Sequence, residues 1–181
     1  MPARIKLITD RLLIRTYQTE DAPDLNQFVR ENTYYLYETA PLTLRSNLSL
    51  ASSIEFLEML ERRRIDGKWI WNAIFKKESR QFIGQISIYN FEESTKTCEL
   101  GYFITVDQMG NGYATEALRT ISQYCFHELQ RRSIMLRIKP DNIASKRVAE
   151  KGGFQYIGLQ AKNFRTYHGA FIDQEVYELR K

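Results

Sequence analysis

The sequence predicts an α+β protein built on one mixed β-sheet, and three observations carry that reading. A strand, a glycine turn and a helix follow directly on one another in ELGYFITVDQMGNGYATEALRTISQYCFHEL, Glu99 to Leu129. Further strand and helix patterns flank that unit on both sides, with no internal repeat and no Pro/Gly/Ser-rich linker between them. At 181 residues, 43% hydrophobic and 13% aromatic, the chain is long enough to bury a sizeable core, and residues 1–181 read as a single domain.

In chain order, a first strand is expected near residues 5–16 and a helix near 21–31, followed by an irregular aromatic stretch, Thr33–Leu44. A second helix should begin after Ser52 or Ser53, bury Ile54, Leu57, Leu60 and Ile65, and stop near Asp66-Gly67. Lys68–Phe75 and Gln81–Asn90 read as antiparallel strands joined through Lys77–Arg80. The next strand alternates Leu100, Tyr102, Ile104 and Val106 against Glu99, Gly101, Phe103 and Thr105, the period of two of a pleated strand. Ala114, Ala117, Leu118, Ile121, Cys125 and Leu129 then recur every three or four residues, placing one apolar stripe on a helix. Ser133–Lys139 is a strand ended by Pro140, and the short helix after it has Asn142 as N-cap, Ser145 at its third position, and Gly152 or Gly153 as its left-handed stop. The last strands fall near Gln155–Leu159 and Phe171–Leu179.

The turn between the central strand and the long helix is suited to phosphate. Gly110 and Gly112 let a ligand approach the backbone closely, and the unpaired N–H groups of the new helix carry partial positive charge toward an anion. It is not a dinucleotide fingerprint, because Thr115 stands where a third small residue is needed, and no G-x-x-x-x-G-K-[ST] string occurs anywhere. The segment resembles the acyl-CoA motif (Q/R)-x-x-G-x-(G/A) of the GCN5-related N-acetyltransferase (GNAT) superfamily, with Met109, Gly112 and Ala114 in the first, fourth and sixth places. Met109 departs from the motif's Gln or Arg. PDNIASKRVAEKGGF resembles the next element of that superfamily, and TDRLLIR with Glu20-Asp21-Ala22 resembles the opening of its RimJ/RimL branch of ribosomal-protein N-terminal acetyltransferases.

The resemblance implies a GNAT fold: a single-layer mixed sheet flanked by helices, with two parallel strands, here those ending at Val106 and Lys139, splaying apart around acyl-CoA. Acetyl-CoA is the implied co-substrate, with no metal. Its expected contacts are the backbone at Ile104 and Val106, the turn Met109, Gly110, Asn111, Gly112, Tyr113, Ala114 and Thr115, and Asn142. Direct attack of an amine on the thioester needs a polarised carbonyl, a neutral amine and a proton for the departing thiolate. Many GNAT proteins use a tyrosine as that acid, but the matching residue is Ala149; RimL-like enzymes are thought to use a serine, and Ser145 matches it while also reading as an ordinary helix residue. Asn163 stands where RimL-like members carry a glutamate base, so Glu99 is the best remaining carboxylate, with Asp173 and Glu175 behind it.

Other chemistries lack their residues. There is no G-x-S-x-G nucleophile elbow, and His127 and His168 read as a helix-surface and a turn residue. Cys98 and Cys125 have no metal or redox spacing and read as buried thiols. A net charge of +4 permits an acidic partner without requiring one, and direct nucleic-acid binding is not expected; with no apolar run of membrane-spanning length and no secretory signal, a cytoplasmic monomer or homodimer without a membrane partner is. With no strong base evident, a protein N-terminal α-amine is the favoured acceptor, and Tyr34, Tyr35 and Tyr37 are candidates to wall a groove for it. Two alternatives stand beside it: a small amine such as a polyamine or aminoglycoside, and a non-catalytic acyl-CoA sensor.

Overall fold

The computed structural model describes residues 4–181. Its eight strands are β1 (Lys6–Ile8), β2 (Leu12–Thr16), β3 (Ile70–Lys76), β4 (Phe82–Glu92), β5 (Thr97–Ile104), β6 (Ser133–Ile138), β7 (Gln155–Arg165) and β8 (Phe171–Arg180). They form one sheet in the order β1-β2-β3-β4-β5-β6-β8-β7, antiparallel throughout except for the parallel pair β5 and β6. The single strand expected over residues 5–16 is two strands folded back on each other, broken at Asp10-Arg11. The strand expected to end at Leu159 runs on to Arg165.

Helices cover both faces. On one, α5 (Tyr113–His127) and α6 (Ile143–Lys151) pack through Leu118, Ile121, Cys125 and Ala149 against Ile14, Ile86, Leu100 and Ile134. Full burial of each large aliphatic side chain there stabilises by about 1.5–3 kcal/mol, which is why the stripe on α5 was legible as periodicity. On the other face, α1 (Ala22–Glu31), α2 (Thr33–Thr39), α3 (Pro41–Ser46) and α4 (Leu50–Ile65) enclose a second cluster that includes Leu25, Phe28, Phe56, Leu60, Phe75 and Phe103.

The second face holds most departures from expectation. The stretch expected to be irregular, Thr33–Leu44, lies in the short helices α2 and α3, in which Leu36 and Leu44 anchor a polar aromatic segment to the core. Helix α4 begins earlier than expected. Ser49 is its N-cap, accepting from the Ser52 N–H while Ser52 Oγ accepts from the Ser49 N–H, a reciprocal box worth about 1 kcal/mol. The docking direction of α4 also shifts the buried side. Ile54 and Ile65 stay 36% and 41% exposed, and Phe56 with Leu57 and Leu60 makes the contact. At the end of α6 it is Gly153, at φ +91°, that takes the left-handed stop. Cys98 and Cys125 are both buried free thiols.

Gly84 shows how closely the centre is built. It faces Ile104 across β4 and β5 at a pair without ladder hydrogen bonds, where the two backbones approach most closely. A Cβ there would stand 2.3 Å from the Phe103 carbonyl oxygen. Gly84→Ala should therefore force β4 from β5 and cost about 2 kcal/mol or more, visible as a lowered Tm with reduced acetyl-CoA affinity. An unchanged melting curve would show that the sheet absorbs the methyl group.

Candidate active site

The parallel pairing of β5 and β6 is short. It runs from Thr97↔Ser133 to Glu99↔Met135 and then stops, although β5 continues to Ile104 and β6 to Ile138. Beyond Glu99 the two strands diverge and leave a notch through the sheet. The Thr105 N–H donates to the Ile83 carbonyl on the β4 side. By the alternation of an antiparallel strand, Tyr102 and Ile104 turn their N–H and C=O groups to the opposite side, into the notch. Val106 does not share this arrangement: its N–H donates to Asn32 Oδ1 at 3.0 Å, so that backbone donor is already engaged.

On the α5 face the notch meets the glycine turn. Gly112 is the N-cap of α5 at φ +80°, with no side chain capping the helix. Among the described residues, the N–H groups of Gly110, Asn111, Gly112, Tyr113, Ala114 and Thr115 donate to no protein acceptor; the first to do so is Glu116, to the Gly112 carbonyl. Consecutive free donors at a helix N-terminus form an anion site. Met109 is exposed and ends a short 3-10 turn over Val106–Gln108.

On the other face the notch opens into a cleft of about 610 Å³ walled by β3, β4, β5, α2 and the β7–β8 hairpin. Glu99, Ser145, Asn142 and Tyr35 all line it, so the structure brings these expected residues together. Tyr34 is 88% exposed and faces solvent, and Tyr37 packs in a tilted arrangement on Tyr167 with ring centroids 4.3 Å apart and contacts His168 through its hydroxyl. Asn163 also lines the cleft, its side chain donating to Gln174 at 3.1 Å. Asp173 and Glu175 do not; Glu175 pairs with Lys146 at 2.7 Å.

Ser145 is held by its main chain. Its N–H donates to Asn142 Oδ1 at 3.0 Å, the N-cap of α6, and its carbonyl accepts from the Tyr102 hydroxyl at 3.3 Å. Ser145 lines the cleft, and its side chain lies within hydrogen-bonding reach of the Tyr102 hydroxyl. Burial pushes the Tyr102 hydroxyl well above the usual tyrosine range, so it stays protonated. Ala149 is fully buried on the inner face of α6 and does not line the cleft.

Glu99 is buried and fully engaged. Its carboxylate accepts from the Tyr89 hydroxyl and from Asn90 Nδ2, each at 3.0 Å, and pairs with Arg137 of β6. Burial pushes the Tyr89 hydroxyl up to about 12, which keeps it a donor. Among the described residues, Glu99 is the only carboxylate lining the cleft, and Arg137 and Arg165 line it too. Arg137 escaped the sequence reading, although an arginine inside the apolar strand SIMLRI signals a buried partner. Tyr102 and Asn32 gave no comparable signal, since their roles depend on neighbours 43 and 74 residues away.

The profile of the acetyltransferase (GNAT) domain family matches residues 11–155. The chain belongs to the GNAT acetyltransferase family. It is 31% identical to the "Probable N-acetyltransferase YjcK" of Bacillus subtilis over 162 residues, 88% of this chain and 82% of that protein. It is 26% identical to the [ribosomal protein uS5]-alanine N-acetyltransferase of Escherichia coli, over 94% of this chain and 88% of that one. Among solved structures, Mycobacterium smegmatis RimJ in complex with CoA-disulfide superposes with a TM-score of 0.86 at 21% identity, covering 93% of this chain and 81% of that one. The fold is thus the GNAT fold, the enzyme class is N-acetyltransferase, and the co-substrate is acetyl-CoA. Among the described residues, no group of three or more His, Cys, Asp or Glu side chains is placed to hold a metal, and no helix is long and apolar enough to cross a membrane.

Proposed function

We propose that this GNAT enzyme transfers the acetyl group of acetyl-CoA directly to the α-amine of a protein N-terminus. The pyrophosphate lies on the free N–H groups of Gly110–Thr115, the pantetheine arm passes through the notch beside Ile104 and Tyr102, and the thioester reaches the cleft. The acceptor enters from the α2 side, past Tyr35. Its nitrogen attacks the thioester carbon, the C–S bond breaks, and the thiolate takes a proton from Ser145 Oγ, which solvent replaces. The amine's own proton leaves through a water to Glu99.

The observation that carries the acceptor class is the commitment of Glu99 to Arg137, Tyr89 and Asn90. A carboxylate so engaged is a weak base, which suits an amine that is partly neutral at physiological pH. The same commitment leaves no spare negative charge in the cleft to attract a polyamine or aminoglycoside. The relatives named for ribosomal-protein acetylation make ribosomal N-termini the first acceptors to test. Mass spectrometry of peptides incubated with enzyme and acetyl-CoA tests the proposal by locating the acetyl group. Transfer confined to lysine side chains or polyamines would overturn it, and tight CoA binding with no transfer to any amine would mark a sensor.

The co-substrate site has its own test. Valine at position 112 would carry a β-branched side chain into a backbone conformation of φ +80° that favours glycine, at the point where phosphate meets the N–H groups. Gly112→Val should abolish measurable CoA binding in calorimetry while the circular dichroism spectrum stays native. Native affinity in a folded variant would move the phosphate site elsewhere.

A further inference from the structure

The break between β1 and β2 reaches the phosphate turn. Arg11 of this loop donates from Nη1 to the Asn111 carbonyl at 2.9 Å and from Nε to Glu116 Oε2 at 2.7 Å. Glu116, in the first turns of α5, also accepts from the Thr9 hydroxyl at 2.5 Å and from the Arg11 main-chain N–H at 3.3 Å. The guanidinium carbon lies 4.7 Å from the centre of the Tyr113 ring. One arginine thus touches three consecutive parts of the turn: the 111 carbonyl, the 113 ring and the 116 carboxylate.

We propose that Arg11 and Glu116 form a clamp that sets the phosphate turn for the nucleotide part of the co-substrate, Arg11 acting as a positioning residue. This rests on the assignment of the turn to acetyl-CoA.

Two physical effects follow from the contacts. A peptide unit is planar and trans, so its C=O and N–H point in opposite directions. By holding the Asn111 carbonyl toward the β1–β2 loop, Arg11 points the Gly112 N–H away from that loop, as a donor that no protein group takes up. The second effect is charge. Burial pushes the Glu116 carboxyl up, but its hydrogen bonds from Thr9 and Arg11 outweigh that and hold it below the usual range, so it is ionised at neutral pH. An anion at the start of α5 favours the helix but opposes an arriving pyrophosphate, and the paired guanidinium cancels that opposition. Without Arg11 the peptide is free to rotate and the carboxylate repels the ligand; both effects act on phosphate and neither on the pantetheine arm.

The test compares CoA with pantetheine, which keeps the thiol arm and lacks the nucleotide. In Arg11→Met, which retains an apolar stem against Tyr113 but loses the guanidinium, the Kd for CoA measured by calorimetry should rise about tenfold or more, while that for pantetheine stays within twofold. Arg11→Lys, which keeps charge but not the forked contacts, should fall between wild type and Arg11→Met. Equal losses for both ligands would reduce the clamp to general stability and overturn it, as would an unchanged CoA affinity in Arg11→Met. If the wild-type protein itself bound CoA no better than pantetheine, the phosphate-turn assignment would fail with it, an outcome distinct from failure of the clamp alone.

Discussion

A short peptide with a free α-amine should be acetylated roughly 300-fold faster near neutral pH than the same peptide with a blocked N-terminus and a free lysine. The α-amine titrates near 7.7–8.0 and lysine near 10.4, so presenting the neutral form costs lysine about 3.4 kcal/mol more before recognition is counted. An enzyme with a strong, free base could offset that difference. Here the cleft's one carboxylate is held by Arg137, Tyr89 and Asn90, so the solution equilibrium of the acceptor passes into the rate. The sign with pH follows. Above pH 8 the α-amine is already neutral while lysine continues to deprotonate, so the preference should shrink about tenfold per pH unit and vanish near the lysine pKa. Initial rates on the two peptides from pH 6.5 to 10, with the acetyl group located by mass spectrometry, read this directly. A preference that stays flat with pH would assign the selection to recognition, and lysine acetylation at neutral pH equal to that of the α-amine would reverse the conclusion.

Ser145→Ala should lower kcat on the order of 100-fold or more, the range of general acid catalysis, with little change in acetyl-CoA affinity. The substitution removes the hydroxyl and its contact with Tyr102 while sparing the main-chain bonds: the N–H still caps on Asn142 and the carbonyl still accepts from Tyr102. Alanine keeps both and is at home in the first turn of a helix, so α6 and the notch stay in place. Loss of kcat with unchanged Kd for CoA would therefore report the proton delivered to the departing thiolate. Near-native turnover would return Ser145 to a role as third residue of α6.

Much of this site was open to sequence reasoning because its parts are local. The pattern from Leu100 to Leu129 encodes a strand, a glycine turn and an apolar stripe within one continuous segment, and the capped helix after Pro140 is equally self-contained. Period, cap and turn chemistry act between residues a few positions apart, so one sequence suffices to see them. The helices α2 and α3 were not visible in this way. Tyr34, Tyr35 and Tyr37 are poor evidence for a helix by propensity, and the segment is helical because Leu36 and Leu44 find a core made by distant strands. Ile54 and Ile65 show the converse: both fit the apolar spacing, and the direction from which α4 docks left them at the surface.

By itself, then, the sequence determined the family resemblance, the central strand–turn–helix with its two glycines, and the N-cap that carries Ser145. The tertiary structure alone decided how far β5 and β6 stay paired, which backbone groups face the notch, that Glu99 is paired with Arg137, and that Arg11 braces a turn 100 residues away. The division has one physical cause. Hydrogen bonds and caps between chain neighbours follow from residue type and spacing, whereas ion pairs and strand divergence depend on where separate elements meet in space, which hydrophobic packing of the whole sheet settles.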